Sequence, residues 1–267
     1  MRPPVAPSQA DGGTGITLSE SDGLRYLHFG TPWVQGAMKI ARPYALVLDY
    51  QRQMMAPLLF VPEPRAVLQL GLGAAALTKF MHRFVPCSHV TVVELDPAVV
   101  ATAHVAFRLP LPDARLQLVL GDARAHLEQR GTRGSVDLLQ VDLYDAQARG
   151  PVHDDPAFYA LCRAALRGPG LAAFNLFGRQ WPPSFQAIAD AFGGRAVLLP
   201  EADAGNRIAL AFTGPPLAVS FAALYEAARG IEHRLKLPAR KWVSGLRIAE
   251  LPRQGGTARI DGAYFQV

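Results

Sequence analysis

The stretch from Ala66 to Pro97 constrains the fold more than any other part of this chain. An apolar run breaks into Gly71-Leu72-Gly73, an alanine-rich helical segment follows, and a second apolar run ends at Glu94. Glycines let the backbone turn sharply and approach a ligand, and a helix N-terminus behind them offers unpaired N–H groups. An acid about twenty residues further on can accept hydrogen bonds from ribose hydroxyls. The stretch therefore predicts a strand–turn–helix–strand unit that binds a nucleoside-bearing cofactor.

Strand and helix patterns alternate through the following part of the chain. Such alternation favours a largely parallel sheet with helices on both faces, because each helical crossover returns the next strand in the same direction. The pattern predicts an α/β fold with a seven-stranded, mostly parallel sheet, whose ligands bind beyond the carboxyl ends of the strands. The predicted strands are residues 66–70, 90–94, 115–120, 136–142, 171–176, 196–200 and 207–212. The predicted helices are residues 75–84, 98–107, 124–130, 156–167 and 183–192.

Composition and turn signals divide the chain into three predicted regions. Residues 1–14, rich in Pro, Gly and polar residues, are predicted to be a disordered leader. Residues 15–62 are predicted to form a small β-rich cap with a hairpin around Asp22-Gly23, a short strand at 34–38 and a connecting helix over 44–60. Residues 63–267 are predicted to form the α/β domain, with an amphipathic helical tail over 218–247.

The bulk composition argues against several functional classes. Lys and Arg number 27 against 22 Asp and Glu, but most of the excess is dispersed, so a nucleic-acid site is not expected. One basic cluster near the C-terminus is more typical of a solvated helix face. No apolar run approaches the roughly 20 residues that a membrane helix needs, and we expect no membrane association and a cytoplasmic location. The basic cluster comprises His233, Arg234, Lys236, Arg240 and Lys241.

The cysteines and histidines give no sign of a metal centre. Cys87 and Cys162 are the two cysteines of the chain, and their separation fits neither a CxxC motif nor a zinc site. The 7 histidines show no ligand spacing. The sequence therefore predicts no metal site.

Two further predicted strands end in acidic residues. The third strand runs into Gly121-Asp122-Ala123, where an acid can accept from an adenine amine and a backbone N–H can meet a ring nitrogen. Asp122 can equally cap the next helix, and the two roles are compatible. The fourth strand runs into Asp142 and Asp145, two carboxylates whose mutual repulsion a nearby cation would relieve. Because the carboxyl ends of parallel strands meet in one crevice, these acids are expected to lie near the glycine turn.

The order of these motifs resembles the class I S-adenosylmethionine-dependent transferases. Within that group the chain is most similar to the polyamine aminopropyltransferases, the spermidine synthase family. The resemblance implies the Rossmann-like sheet of the class I methyltransferase type, with the small N-terminal β-rich cap. It rests on Gly71 and Gly73, Glu94, Gly121-Asp122-Ala123, Asp142 and Asp145, Gly150-Pro151, Phe158-Tyr159, and upstream on Val34-Gln35 and Tyr50.

The resemblance implies a role for each matched residue. Asp142 would be the catalytic base, and Asp145 and Tyr50 would bind the amine substrate. The implied co-substrate is decarboxylated S-adenosylmethionine, or S-adenosylmethionine itself, and the implied partner is a small polyamine such as putrescine. The family also suggests a homodimer. The implied cofactor-binding residues are Gln35, Gly71, Gly73, Glu94, Asp122 and Ala123.

Three departures from the family pattern keep other functions open. Ala74 stands where the family carries an Asp that holds the cationic tail of the donor, Gln51-Arg52 follows Tyr50 in place of His-Glu, and Ala146 replaces a proline. Methyl transfer from intact S-adenosylmethionine and a non-catalytic nucleoside-binding role are the alternatives. A dehydrogenase using NAD is less favoured, because it leaves Asp122 and the Asp142/Asp145 pair without a role.

The implied reaction asks little chemistry of the protein. A neutral amine would attack the carbon beside the sulfonium, so the protein mainly aligns the reactants and removes a proton. A carboxylate with an ordinary pKa near 4 is a weak base toward an alkylammonium near 10. Burial of the amine would bring the two pKa values closer. Asp142 is therefore expected to act as both the base and the electrostatic anchor for the amine.

Overall fold

The computed structural model describes residues 15–31, 33–86, 88–144, 151–178, 181–203 and 205–267. The predicted leader over residues 1–14 lies outside these ranges, as does Asp145. No helix in the described ranges is both long enough and apolar enough to cross a membrane.

A three-stranded antiparallel sheet forms the cap at the start of the described chain. Its strands, in the spatial order β1-β2-β3, are β1 (Ile16–Ser21), β2 (Leu24–Phe29) and β3 (Gly36–Lys39). Asp22 and Gly23 connect β1 to β2 with φ values of 53° and 73°, the combination that suits the right-handed twist of a hairpin. The predicted hairpin and the short strand after it are therefore present.

The prediction of one helix over residues 44–60 is wrong. The chain instead forms α1 (Asp49–Gln53) and then a 3-10 turn at Ala56–Leu59. Pro57 has no N–H group to extend a helical hydrogen-bond pattern, and its ring restricts the residue before it. At the other end Leu48 is extended, with φ −80° and ψ 144°, so the helix cannot begin earlier. The apolar spacing came from a compact turn structure and not from a continuous helix.

The main sheet has seven strands in the order β6-β5-β4-β7-β8-β10-β9. β10 is antiparallel to both of its neighbours, and the other adjacent strands are parallel. The strand order reverses between β4 and β7, and in such sheets the ligand crevice opens at that point. The strands are β4 (Ala66–Leu70), β5 (His89–Glu94), β6 (Leu116–Leu120), β7 (Val136–Val141), β8 (Leu166–Phe177), β9 (Ala196–Leu198) and β10 (Asn206–Thr213). The helices between them are α2 (Ala76–Phe84), α3 (Pro97–Phe107), α4 (Ala123–Glu128), α5 (Pro156–Ala165) and α6 (Trp181–Ala191).

Both faces of this sheet are buried, as the parallel topology requires. Val67 of β4 and Leu138 of β7 belong to the hydrophobic cluster on one face. The next residues along, Leu68 and Leu139, belong to the cluster on the other face. Successive strand side chains point to opposite faces, so a continuous apolar run supplies both clusters at once.

The C-terminal region is more varied than the predicted helical tail. Lys236 has a left-handed φ of 57° and ends α7, and Pro238 lies just before α8. A left-handed residue followed by proline is a common helix stop, so the tail is two helices and not one. Three short strands form a small sheet of order β11-β13-β12, in which β13 pairs with both β11 and β12; the sequence did not predict this sheet. The elements are β11 (Ala218–Ser220), α7 (Phe221–Leu235), α8 (Ala239–Arg247), β12 (Arg259–Ile260) and β13 (Tyr264–Gln266).

Lys79 is a buried cation in the interface between α2 and α3. Its side chain is 1% exposed, and its Nζ donates to the carbonyl oxygen of Phe107, the last residue of α3, at 2.6 Å. A cation at a helix C-terminus is favourable, but one carbonyl does not replace the hydration of an ammonium group. Burial consequently lowers the pKa of Lys79 to about 8.

We expect Lys79 to make the stability of this protein rise with pH. The lysine pKa is 10.5 in the unfolded chain and about 8 in the fold, so between these values unfolding takes up a proton and stability increases as pH rises. At about 1.4 kcal/mol for each pH unit, the full change is ~3 kcal/mol. Urea unfolding of the wild type and of Lys79→Met between pH 7.5 and 10 measures it. The free energy of unfolding of the wild type, relative to that of Lys79→Met, should increase as pH rises. A difference between the two proteins that does not change with pH would contradict the prediction.

Candidate active site

The glycine turn after β4 contacts the main chain that follows β7. Gly71 has a φ of +93°, and a Cβ placed on it would lie 2.3 Å from the carbonyl oxygen of Asp142. The Gly71 N–H donates to Val93, and the Asp142 N–H donates to the carbonyl of Leu70. Only glycine fits this close approach. The turn and Asp142 are therefore held together at the point where the strand order reverses.

Glu94, at the end of β5, supports the same turn with its carboxylate. Its Oε2 accepts from the Leu72 N–H at 2.9 Å, and its Oε1 accepts from the Asp96 N–H at 3.0 Å. An ionised carboxylate has about four acceptor positions, so roughly half of its capacity is not used by these two bonds. Glu94 can thus order the turn and still accept hydroxyl hydrogen bonds from a ribose.

Asp122 follows β6 and caps α4. Its Oδ1 accepts from the Ala125 N–H at 2.8 Å, and its Oδ2 lies 3.3 Å from His153 Nε2. The Ala125 hydrogen bond is the main reason that the pKa of Asp122 is lowered, and the charge of His153 adds to the effect. Ala123 is the first residue of α4, so its N–H belongs to the helix N-terminus. Asp122 is therefore an ionised cap beside a histidine, with room for the second role predicted for it.

Asp142 is the partly buried acid of the crevice. Its Oδ1 accepts from Asn175 Nδ2 at 2.8 Å. Burial raises the pKa of Asp142, while the hydrogen bond from Asn175 and the neighbouring Tyr50 hydroxyl act in the opposite direction. The carboxylate is thus a stronger base than an ordinary aspartate, although it is still stabilised as an anion.

Tyr50 reaches Asp142 from α1, and a distant residue fixes that helix. The Leu48 side chain provides no cap for α1, and Asp203 Oδ2 instead accepts from the Tyr50 N–H at 2.8 Å. Asp203 lies in the loop between β9 and β10. Tyr50 itself is 8% exposed, and burial followed by the charge of Asp142 raises the pKa of its hydroxyl well above the usual value. Tyr50 is therefore a neutral hydrogen-bond donor beside the acid.

A row of buried amides connects the two halves of the site through the sheet. The Thr78 hydroxyl donates to Gln69 Oε1 at 2.6 Å, and Gln69 Nε2 donates to Gln140 Oε1 at 2.8 Å. Gln140 Nε2 then donates to the carbonyl oxygen of Met54 at 2.8 Å, directly after α1. Buried polar groups that are fully paired hold their elements in one arrangement. This row ties the helix behind the glycine turn to the segment that carries Tyr50.

One cleft brings together the glycine turn, the segment that carries Tyr50, and Gln35, the residue just before β3. Ala74 is 3% exposed, and a Cβ on Gly36 would lie 2.5 Å from Ala74 Cβ, so the cap packs directly on the turn. The side-chain amide nitrogen of Gln35, Nε2, is buried and has no hydrogen-bond partner among the described residues. A buried, unpaired donor costs free energy unless a ligand accepts from it. The cleft is lined by Gln35, Tyr50, Gln51, Gly71, Leu72, Gly73, Ala74, Ala76, Leu77 and Asp142.

Aromatic side chains extend the site away from Asp142. The Tyr144 hydroxyl donates to the carbonyl oxygen of Asn175 at 2.8 Å, and its ring lies edge-on to Phe177 at 6.3 Å. Trp33, from the loop between β2 and β3, contacts the same Phe177 at 6.2 Å and is 58% exposed. Such rings offer apolar surface to a methylene chain and π faces to an ammonium group.

Comparison with known proteins shows which family this chain resembles. A family model for the spermine/spermidine synthase domain matches residues 48–175. The polyamine aminopropyltransferase of Chromobacterium violaceum is 29% identical over 234 residues, which cover 87% of this chain and 89% of that protein. The chain is therefore similar to the spermidine synthase family.

Solved structures agree on the fold. A probable spermidine synthase from Corynebacterium glutamicum has a TM-score of 0.67 at 19% identity, over 92% of this chain and 93% of that one. Human methyltransferase-like protein 13 in complex with SAH has a TM-score of 0.61 at 20% identity, over 71% of this chain and 93% of that one. These likenesses confirm the predicted seven-stranded, Rossmann-like sheet of the class I methyltransferase type with its small β-rich cap.

The structure brings together most of the site residues that the resemblance to spermidine synthases implies. Gln35, Tyr50 and Asp142 line one cleft with the glycines, and Glu94 reaches it through Leu72. Asp122 and Ala123 lie at the end of the outer strand β6 and do not line that cleft. Asp145 lies outside the described residues.

The sequence reasoning missed several residues that hold the site. Asn175 bonds to Asp142, Asp203 caps the helix of Tyr50, and Gln140 ties that helix to the sheet. Each lies far along the chain from its partner, so no local pattern marks it. A polar residue within an otherwise apolar strand, as Asn175 and Gln140 are, is the one signal that could have found two of them.

Proposed function

We propose that this protein transfers an aminopropyl group from decarboxylated S-adenosylmethionine to a polyamine such as putrescine. Its similarity to the spermidine synthase family supports the reaction. The observation in the site that carries the proposal is the placement of Asp142, which lies against the Gly71 turn and beside Tyr50. A base and a hydrogen-bond donor thus meet next to a nucleoside-type turn, which is what amine alkylation by an adenosyl sulfonium requires.

The residues present suit the nucleoside part of the donor. Glu94 can still accept hydrogen bonds from the ribose hydroxyls. The buried side-chain Nε2 of Gln35 has no partner among the described residues and would donate to an acceptor on the ligand. The pKa of Asp122, at the end of β6, is lowered, so this residue would accept from the adenine amine as a carboxylate. Gly71 and Gly73 remove side chains that would otherwise fill the turn. These groups would hold the adenosine so that the sulfonium points toward Asp142.

The chemistry of the step assigns Asp142 the proton. When bound, the sulfonium donor supplies an electrophilic carbon and a neutral thioether as leaving group. The acceptor nitrogen forms the new C–N bond as the C–S bond breaks, and Asp142 takes the proton that the amine loses. Because burial raises the pKa of Asp142, the carboxylate is better matched to an amine than an exposed aspartate would be. Tyr50 and Asp145 would hold the far end of the acceptor.

The experiment is a product assay with both donors. The protein is incubated with putrescine and either decarboxylated or intact S-adenosylmethionine, and methylthioadenosine, S-adenosylhomocysteine and the modified amine are measured by mass spectrometry. Methylthioadenosine formation that depends on putrescine supports the proposal. S-adenosylhomocysteine formation would select methyl transfer instead, and calorimetric binding of a donor without turnover on any amine would point to a non-catalytic nucleoside-binding role.

Ala74 is the reason to test methyl transfer in the same assay. The tail of intact S-adenosylmethionine carries a carboxylate as well as an ammonium group, and the turn of this chain has no acid at position 74 to repel it. The fold likeness to a methyltransferase in complex with SAH is compatible with this alternative. The family match favours aminopropyl transfer over it.

We expect Ala74→Asp to change the donor preference toward the decarboxylated form. A carboxylate at this position would pair with the ammonium tail and repel the carboxylate of the intact donor. A charge-assisted hydrogen bond contributes roughly 1.5–3 kcal/mol, so the ratio of the two dissociation constants should move by about 10- to 100-fold. Calorimetric titration with each donor measures the ratio. Ala74→Asn adds the same bulk without the charge, and equal ratios for the two variants would contradict the electrostatic argument.

The homodimer that the family suggests remains a prediction. Light scattering coupled to gel filtration of the full chain measures the molar mass, and the value for one chain would refute it.

A further inference from the structure

Two asparagines stand behind Asp142 in the antiparallel pair formed by β8 and β10. Asn175 lies in β8 and is 4% exposed, and Asn206 is the first residue of β10. Asn175 Nδ2 donates to Asp142 Oδ1 at 2.8 Å, and Asn206 Nδ2 donates to Asn175 Oδ1 at 3.0 Å. The three side chains therefore form a row of hydrogen bonds in which Asn206 donates to Asn175 and Asn175 donates to the Asp142 carboxylate.

The direction of this row depends on Asn206. An asparagine amide can present either its NH₂ group or its oxygen to a neighbour. Asn206 Nδ2 donates to Asn175 Oδ1, so the NH₂ group of Asn175 is the end that faces Asp142. If the amide turned over, its oxygen would face the carboxylate and repel it. The acceptor-only carboxylate and the Asn206 donor thus both favour the orientation in which Asn175 stabilises the ionised acid.

The surroundings of Asp142 make this hydrogen bond important. The ionisable groups that approach it among the described residues are Tyr50 and Tyr144, and burial keeps both phenols neutral. Asp203 is on the far side of Tyr50, bound to its N–H. No lysine, arginine or histidine of the described chain is among the groups that shift the titration of Asp142. Among the described residues, its negative charge is therefore stabilised by hydrogen bonds.

We propose that Asn175 is a positioning residue that keeps Asp142 ionised and aimed at the acceptor amine, and that Asn206 fixes the orientation of the Asn175 amide. The role of Asn175 toward the amine rests on the function proposed above. Its effect on the carboxylate does not, because the three side chains contact one another without any ligand. Because Asp142 Oδ1 accepts from Asn175, Oδ2 is the oxygen that takes the proton.

The test is a direct titration of Asp142, which needs no turnover. The carboxyl carbon of Asp142 is followed by ¹³C NMR in the intact protein, and its signal is assigned by its absence in Asp142→Asn. We expect Asn175→Leu to raise the pKa of Asp142 by about one unit or more, since it removes a donor to the charged form. Asn206→Leu should raise it by a smaller amount, and Asn175→Gln, which keeps an amide donor, should restore part of the difference.

The result also separates this inference from the proposed function. An unchanged titration in Asn175→Leu would overturn the inference even if the wild type transfers aminopropyl groups, and an unchanged titration in Asn206→Leu would overturn the part assigned to Asn206. If the wild type shows no transfer but the titrations shift as expected, only the proposed function fails. Should Asn175→Leu not fold, Asn206→Leu still tests the row, because residue 206 is partly exposed at the start of its strand. In an active enzyme, kcat at neutral pH should fall about tenfold in Asn175→Leu, because Asp142 is no longer aimed at the amine, while the Kd of the donor stays the same.

Discussion

Asp142→Asn should lower kcat for aminopropyl transfer by about 100- to 10,000-fold, the usual contribution of a positioned base. The amide keeps the shape of the side chain and can still accept from Asn175, but it can no longer take a proton. Donor binding should stay measurable, because Glu94, Gln35 and the glycine turn are unchanged. Steady-state assays give kcat, and calorimetric titration with the donor gives Kd. Full activity in this variant would remove Asp142 from the role of base.

The same substitution should not destabilise the protein at neutral pH. Burial raises the pKa of Asp142 above its unfolded value, so the fold favours the protonated acid. Stability from this group is present at low pH and is lost as pH rises through the raised pKa. A neutral asparagine avoids that loss, so its Tm at pH 7 should equal or exceed that of the wild type. A large fall in Tm would show that the ionised Asp142 contributes to folding, contrary to the sign of the shift.

Gly71→Ala should damage both stability and activity. Its Cβ would lie 2.3 Å from the Asp142 carbonyl oxygen, and φ is +93°, so the substitution forces the turn and the segment that carries Asp142 apart. Steric conflict with main-chain atoms is in the severe class, roughly 3 kcal/mol, which corresponds to a fall in Tm of about 10 °C. Displacing Asp142 by even an ångström should lower kcat by about 100-fold. Thermal unfolding and steady-state kinetics measure the two effects.

Gly73→Ala is the matched control for this prediction. Gly73 belongs to the same turn and also has a positive φ, +51°, but the nearest atom to an added Cβ is the Gln35 oxygen at 3.7 Å. The left-handed conformation alone costs about 1–2 kcal/mol for a residue with a side chain. Its loss of stability should therefore be smaller, and Asp142 should not move. Equal damage in the two variants would show that backbone strain, and not the contact with Asp142, limits this turn.

The sequence was sufficient to predict the strands of the main sheet, because each strand has a local sequence pattern. Apolar runs such as Ala66–Leu70 bury side chains on both faces, and the glycine turn and Glu94 mark the ends of two of them. The seven strands were therefore predicted close to their observed positions. The segment before the sheet was not, since a helical spacing over residues 44–60 does not show where Pro57 and the extended Leu48 interrupt it.

The C-terminal region shows the same limit. The apolar spacing of α7 and α8 predicts helices, but β12 and β13 are two and three residues long. Strands that short depend on their partners, because few backbone hydrogen bonds and little apolar area are gained within the segment itself. Only the packed fold could place them beside β11.

The amino-acid sequence by itself determined the sheet, the glycine turn and the acids Glu94, Asp122 and Asp142 at the strand ends, because period, turn chemistry and order along the chain are local properties. The tertiary structure alone decided what surrounds Asp142. Asn175, Asn206 and Asp203 bond to residues 33, 31 and 153 positions away, and these contacts exist only after the sheet has formed. Their hydrogen bonds depend on distances of about 3 Å, which a one-dimensional pattern does not contain. The charge state of the acid is therefore a property of the fold.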